Sequence, residues 1–364
     1  MKKREGKVGR HVLIIFAVLS VLLLIIVFRS KHNVRTRNFE TKVKASQICQ
    51  EAMYKVKQER VRLGIPIDNI NDPNQTGLVG AQYTPITMDR TDLSSALTST
   101  NPNFAAIFVD LLTKSRIQAG DVIAVGIDGS YPALNLALYS ALRIMNVKPV
   151  IVTTLSSVMW GANYPDLTWL DMERVCFEQR IFTFKSSAAT LGGEDDNGRG
   201  FSPEAWEQML AKINQSEVIF INNDDLESNI AKRIALYETA GKIKAFVNIG
   251  RSVANLGEHR LQLNSGLIKS KPKKLDGNFV VLQMLDNKIP VINITEVNRL
   301  ARKYGLPIAP VPMQPVGKGR LFIEEKFSIA LAIIFSLLII LLLYFVIRYD
   351  LEYYLSKKSN NNNQ

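Results

Sequence analysis

The sequence predicts an α/β protein: a mostly parallel sheet with helices on both faces, flanked by an N-terminal and a C-terminal transmembrane helix. Three observations predict it. Short apolar runs alternate with helical patterns after residue 104, which is the signature of parallel strands joined by crossover helices. The stretch Asp121–Thr154 (DVIAVGIDGSYPALNLALYSALRIMNVKPVIVTT) reads as strand, glycine loop, helix and strand. Finally, a long uncharged apolar segment lies near each end of the 364 residues.

In the central stretch the apolar run Val122–Ile127 stops at Asp128-Gly129-Ser130. Pro132 suits a first helical position, where its missing N–H has no partner to lose. Leu134, Leu138, Ala141, Leu142 and Met145 then recur at helical spacing before the next apolar run, Pro149–Val152. Two strands joined by one helix over this length form a right-handed βαβ unit. Ligands of such sheets bind beyond the carboxyl ends of the strands, where the Gly126–Ser130 loop belongs.

The end segments are Val12–Phe28, 17 residues, and Phe327–Ile347, 21 residues. Both lengths suit a bilayer core, the first at the short limit. A cleaved signal peptide is the alternative for the first, but no small-x-small pattern follows its apolar core. The expected order is a basic tail (1–11), a span (12–28), a helical stalk and loop (29–79), an α/β body (80–320), a span (327–347) and a polar tail (348–364). Lys and Arg near the spans number eight on each side, so charge counting does not orient the chain. The short basic amino-terminus favours both termini in the cytoplasm and the body outside.

A net charge of +12 invites a nucleic-acid reading, yet much of the excess flanks the spans, where anionic lipid headgroups are the usual partner. Lys269-Ser270-Lys271-Pro272-Lys273-Lys274 lacks interleaved aromatics and reads as a solvated loop, so no nucleic acid is expected. Cys49 and Cys176 are too few and too far apart to argue a disulfide framework or a metal site.

Along the body, an apolar stripe of Ala45, Ile48, Cys49, Ala52, Met53, Val56 and Val61 suggests a stalk helix. Thr98–Asn103 reads as a cluster able to cap the helix Phe104–Ser115. Phe182–Phe184 reads as a short strand, and Ser186–Gly200 as too polar and glycine-rich for the core. Ser202-Pro203-Glu204 opens a helix with cap, proline and acid in order. Val218–Ile221, Ala245–Ile249 and Pro290–Ile294 read as strands, with helices over Asp225–Ala240, Phe279–Asn287 and Glu296–Tyr304.

Histidine scarcity prunes the chemistry. His259 is the body's sole histidine, so a Ser-His-Asp mechanism would have to bring it to Ser130 or another serine. Asp128 and Pro132 stand where a nucleophile elbow needs glycines. No Walker A or Gly-x-Gly-x-x-Gly pattern names a cofactor. Gly126–Ser130 suits either an anion held by N–H groups or a bare turn. Gly250-Arg251-Ser252 follows a strand and adds a guanidinium suited to carboxylate or phosphate. The acids Glu194, Asp195 and Asp196, or Asp224 and Asp225, read as solvated rather than metal-binding, and Trp160 and Trp169 as packed rather than stacked on a ligand.

Several segments together resemble the poly-gamma-glutamate system protein family of bacterial membrane proteins: Leu97–Ala106, Val125–Ser130 with Pro132–Asn135, Met159–Asn163, Thr168–Glu173, and Ile289–Asn293 with Tyr304–Pro307. The likeness covers about residues 80–320 and departs at Gly250–Ser252, where the family is glycine-richer. It implies a process, synthesis or export of an anionic polymer, with the poly-γ-glutamate ligase and membrane subunits, the polymer or its precursor, and the lipid bilayer as partners. It implies no particular reaction. The expected role is an accessory component whose body binds polymer, precursor or a partner subunit; the alternatives are a hydrolase or transferase using the Asp128/Ser130 loop, and a structural scaffold. The ligand-facing edge is expected from Ser99, Asn101, Asn103, Gly126, Asp128, Gly129, Ser130, Trp160, Asn163, Gly250, Arg251 and Ser252, with Ser99–Asn103 included on the resemblance.

Overall fold

The computed structural model describes residues 8–257, 263–273 and 275–349. His259, Lys274 and the ends of both polar tails lie outside them. The chain divides into two compact units, residues 36–322 and the two ends together, 1–35 with 323–364.

In the larger unit, seven strands form one sheet among the described residues. They are β1 (Val122–Asp128), β2 (Lys148–Thr154), β3 (Ala188–Thr190), β4 (Ile219–Phe220), β5 (Ile243–Ile249), β6 (Gly266–Ile268) and β7 (Val291–Ile294). Their spatial order is β6-β7-β5-β1-β2-β3-β4, parallel except for β6, which runs antiparallel at one edge. From β1 the chain moves outward through β2, β3 and β4, then returns to place β5 on the other side of β1. Such a reversal opens a crevice at the carboxyl ends of the two strands where it occurs.

Successive residues of β1 join different core clusters. Ile123, Val125 and Ile127 pack with residues of the helices Phe39–Arg62, Phe104–Lys114 and Pro132–Ile144. Ala124 packs instead with residues of Leu226–Thr239 and Val280–Asp286.

The structure differs from the sequence reading in several places. Helix Phe39–Arg62 is no stalk: Ala45, Cys49, Ala52 and Val56 are fully buried in the main core. Its stripe is narrow and made of small side chains, which gives a weak apolar signal yet permits close helix approach. Within Ser186–Gly200, Ala188–Thr190 is a buried strand, and Phe182–Phe184 is not a strand. Alanine, two of its three residues, is depleted in strands, so only pairing between β2 and β4 reveals β3. Asn103 makes no side-chain cap on Phe104–Lys114, whereas Ser202 does accept the N–H of Ala205 ahead of Pro203–Gln215.

The smaller unit holds helices Arg10–Arg29 and Ile329–Arg348, each 20 residues and each long and apolar enough to cross a membrane. Their mean hydropathies over an 18-residue window are 3.2 and 3.1, and most of their apolar side chains are exposed. An antiparallel ribbon joins them, His32–Arg35 with Ile323–Lys326, and Phe28 and Phe327 meet edge to face at 5.3 Å.

Candidate functional site

The reversal point is built on Asp128, the last residue of β1. Its carboxylate accepts the N–H of Ser130 at 2.8 Å and the N–H of Arg251 at 2.5 Å, tying the loop after β1 to the loop after β5. Gly250 makes the approach feasible: its φ is +101°, and a β-carbon there would overlap the Asp128 carboxylate. Burial pushes the Asp128 carboxyl above its usual range, opposed by the hydrogen bonds from Ser130 and Arg251.

The Gly129 carbonyl accepts the N–H of Ala162 at 2.7 Å and the Ser157 hydroxyl at 2.8 Å. Trp160, at φ +65°, donates its N–H to Ala81, and Asn163 clamps Ala81 through both its amide atoms and reaches Thr87 at 3.0 Å. Three of the four segments expected at the ligand edge, Gly126–Ser130, Met159–Asn163 and Gly250–Ser252, are thus brought together. The fourth is engaged elsewhere. Ser99 bonds Ala96, while Asn101 and Asn103 hold Gln314, Pro315 and Gly317.

The geometry also fixes what the first loop offers. The Gly129 N–H is donated to Ser156 at 3.2 Å and that of Ser130 to Asp128, so neither points at an incoming anion. Gly126 lies inside β1, where its bare face admits the Asn255 amide, which bonds Asn248 and through it Asn293. The Ser130 hydroxyl is close enough to help lower the Asp128 carboxyl but makes no hydrogen bond of good geometry, and at 1% exposure it is closed to solvent.

Sequence reasoning missed a second polar centre. Asp196 and Arg233 form an ion pair with both side chains at 0% exposure. The Arg233 guanidinium also donates to the hydroxyls of Thr154 and Thr190, each at 2.7 Å, and Thr154 meets Ser252 at 3.1 Å. One network therefore joins the carboxyl ends of β2 and β3 to the loops after β3 and β5. Burial raises the Asp196 carboxyl, and Arg233 opposes that shift.

Between these anchored loops lies an open cleft of about 670 Å³. Its walls come from Thr87 and Met88, from residues 193–195 and 199–201 after β3, and from Arg251, Val253 and Gly257 after β5. Arg251 sends its guanidinium to the Arg90 carbonyl at 3.3 Å and to Asp89 at 3.4 Å, and its side chain is 34% exposed. Arg199, on the facing loop, pairs with Asp195 at 2.5 Å. Among the described residues no group of three His, Cys, Asp or Glu is placed to hold a metal.

No family model, curated protein or solved structure matches the chain. The cleft lining carries two guanidiniums, Arg199 and Arg251, and two carboxylates, Glu194 and Asp195, beside the glycines 193, 200 and 257.

Proposed function

We propose that the chain is a membrane-anchored accessory component of poly-γ-glutamate synthesis or export, and that its α/β body binds the polymer or its precursor in the carboxyl-edge cleft. The observation that carries this reading is the Arg251 guanidinium, a planar donor to carboxylates held at the wall of a cleft at the sheet's reversal point. The family resemblance supplies the polymer, and the two apolar helices support the anchoring.

In this reading the helices both span the bilayer, both termini are cytoplasmic and the body lies outside. The two core clusters that share β1 support helix layers on both faces of the sheet. Binding is preferred to a hydrolase or transferase at the Asp128/Ser130 loop, because those side chains are 0% and 1% exposed whereas Arg251 is accessible. Binding to the ligase or membrane subunits is compatible with the same cleft.

Two measurements test the proposal. Deleting the gene should change the amount, length or attachment of surface poly-γ-glutamate; unchanged polymer in all three respects contradicts it. Protease added to spheroplasts should remove the body and spare a tag on the C-terminal tail, and full protection of the body would reverse the orientation.

A further inference from the structure

We propose that the cleft receives a zwitterion: Arg251 takes its carboxylate and Glu194 its ammonium, as on the amino-terminal residue of a γ-linked glutamate chain or on free glutamate. This deepens the reading of the cleft given above and rests on it.

Of the four charged side chains that line the cleft, Asp195 and Arg199 satisfy each other at 2.5 Å, which leaves Glu194 and Arg251. Glu194 is exposed and its carboxylate makes no ion pair among the described residues, while its N–H is held by the Arg199 carbonyl at 3.0 Å. An ammonium is the charge it lacks. Arg251 meets the Arg90 carbonyl and Asp89 through Nη1, so the other edge of its guanidinium, Nε with Nη2, makes no hydrogen bond among the described residues. That edge carries two parallel N–H donors, the arrangement that grips a carboxylate in its plane. A ligand carboxylate therefore need not displace Asp89. The Arg251 N–H is held by buried Asp128, which anchors the loop that carries the guanidinium. Met88, Phe201 and Val253 line the same cleft and give apolar cover to a short methylene stem. Interior γ-glutamyl residues bring only carboxylates, which Glu194 repels. The amino-terminal residue holds an ammonium and a carboxylate on one carbon with two methylenes beyond, so of the chain's residues it alone answers Glu194, Arg251 and the apolar lining together.

The test uses the full chain in nanodiscs and two matched pairs of probes. One pair is glutamate and glutarate, which has the same carbon skeleton without the ammonium; the other is tri-γ-glutamate with its amino terminus free or acetylated. The ammonium-bearing member of each pair should bind about 2- to 5-fold tighter, the range an exposed ion pair commands. Glu194→Gln should erase that preference. Arg251→Gln should weaken all four probes by about 10- to 100-fold, as expected for losing charged hydrogen bonds. Thermal midpoints verify folding, which the side-chain changes spare since the backbone bonds of both loops remain. A preference that survives Glu194→Gln overturns the proposal, as does a wild-type chain that binds both members of each pair equally, and the latter leaves the polymer reading in place. If glutamate and glutarate follow the predicted pattern while neither trimer nor long polymer binds, the zwitterion site stands and the polymer reading fails. Binding of none of these ligands overturns both.

Discussion

Gly250 adopts φ +101° with the Asp128 carboxylate in the place of its missing β-carbon, so both conformation and space select glycine. Gly250→Ala should cost about 2–4 kcal/mol, combining strain of about 1–3 kcal/mol with displacement of a buried carboxylate. Urea unfolding of the body measures it, and a loss below about 0.5 kcal/mol, the size of an ordinary surface change, would contradict the geometry. Glu173 gives a prediction in pH. It is buried, accepts the Tyr139 hydroxyl and the Ser186 N–H and hydroxyl, and its carboxyl is raised by burial against those hydrogen bonds. A raised folded-state value means that its stabilising contribution is complete below the unfolded carboxylate value and is lost as pH rises through the folded one. Glu173→Gln should therefore flatten the fall in thermal midpoint over that window, and an identical pH profile in the two proteins would contradict the assignment. At this scale the glycines and Asp128 were legible, since a polar glycine turn ending an apolar run is a local signal. Asp89 with Arg251, and Asp196 with Arg233, were not: each pair joins residues far apart in sequence, and an acid in a polar loop looks solvated until its partner is known.

Among elements, β3 and helix Phe39–Arg62 show how weak a signal small residues give. The strand was passed over and the helix was read as a stalk, because alanine and cysteine mark neither an apolar strand nor a broad helical stripe, yet the strand and one face of the helix are buried in the larger unit. The helix is expected to be indispensable to that unit. A fragment of residues 36–322 should unfold cooperatively, whereas one of residues 64–322, lacking the face that meets Pro132–Ile144, should not fold; equal cooperativity in the two would restore the stalk reading. The loop after β3 depends on its buried ion pair in the same way. Removing one partner strands a charge, so Asp196→Ala should destabilise by about 3–5 kcal/mol. Replacing both by apolar residues, Asp196→Leu with Arg233→Met, should cost less than the single change, and chemical denaturation of the three proteins checks the order. The central βαβ unit was legible because the alternation from strand to loop to helix occurs within one short stretch.

At the scale of the whole molecule, the chain has two apolar helices and a body whose strand order reverses at the loops that form a cleft. The parallel sheet followed from the alternation of patterns, but the order of its strands did not, because nothing local in the sequence says on which side of β1 the later strands return. That return places Arg251 beside Asp128 and makes the cleft. The central claim is that this cleft takes the anionic polymer, and hydrogen exchange on the full chain in nanodiscs tests it most directly. Added poly-γ-glutamate should slow exchange in residues 86–90, 193–201 and 251–257 and leave the segment 99–103 unchanged. Protection confined to other surfaces, or none at saturating polymer, would contradict it.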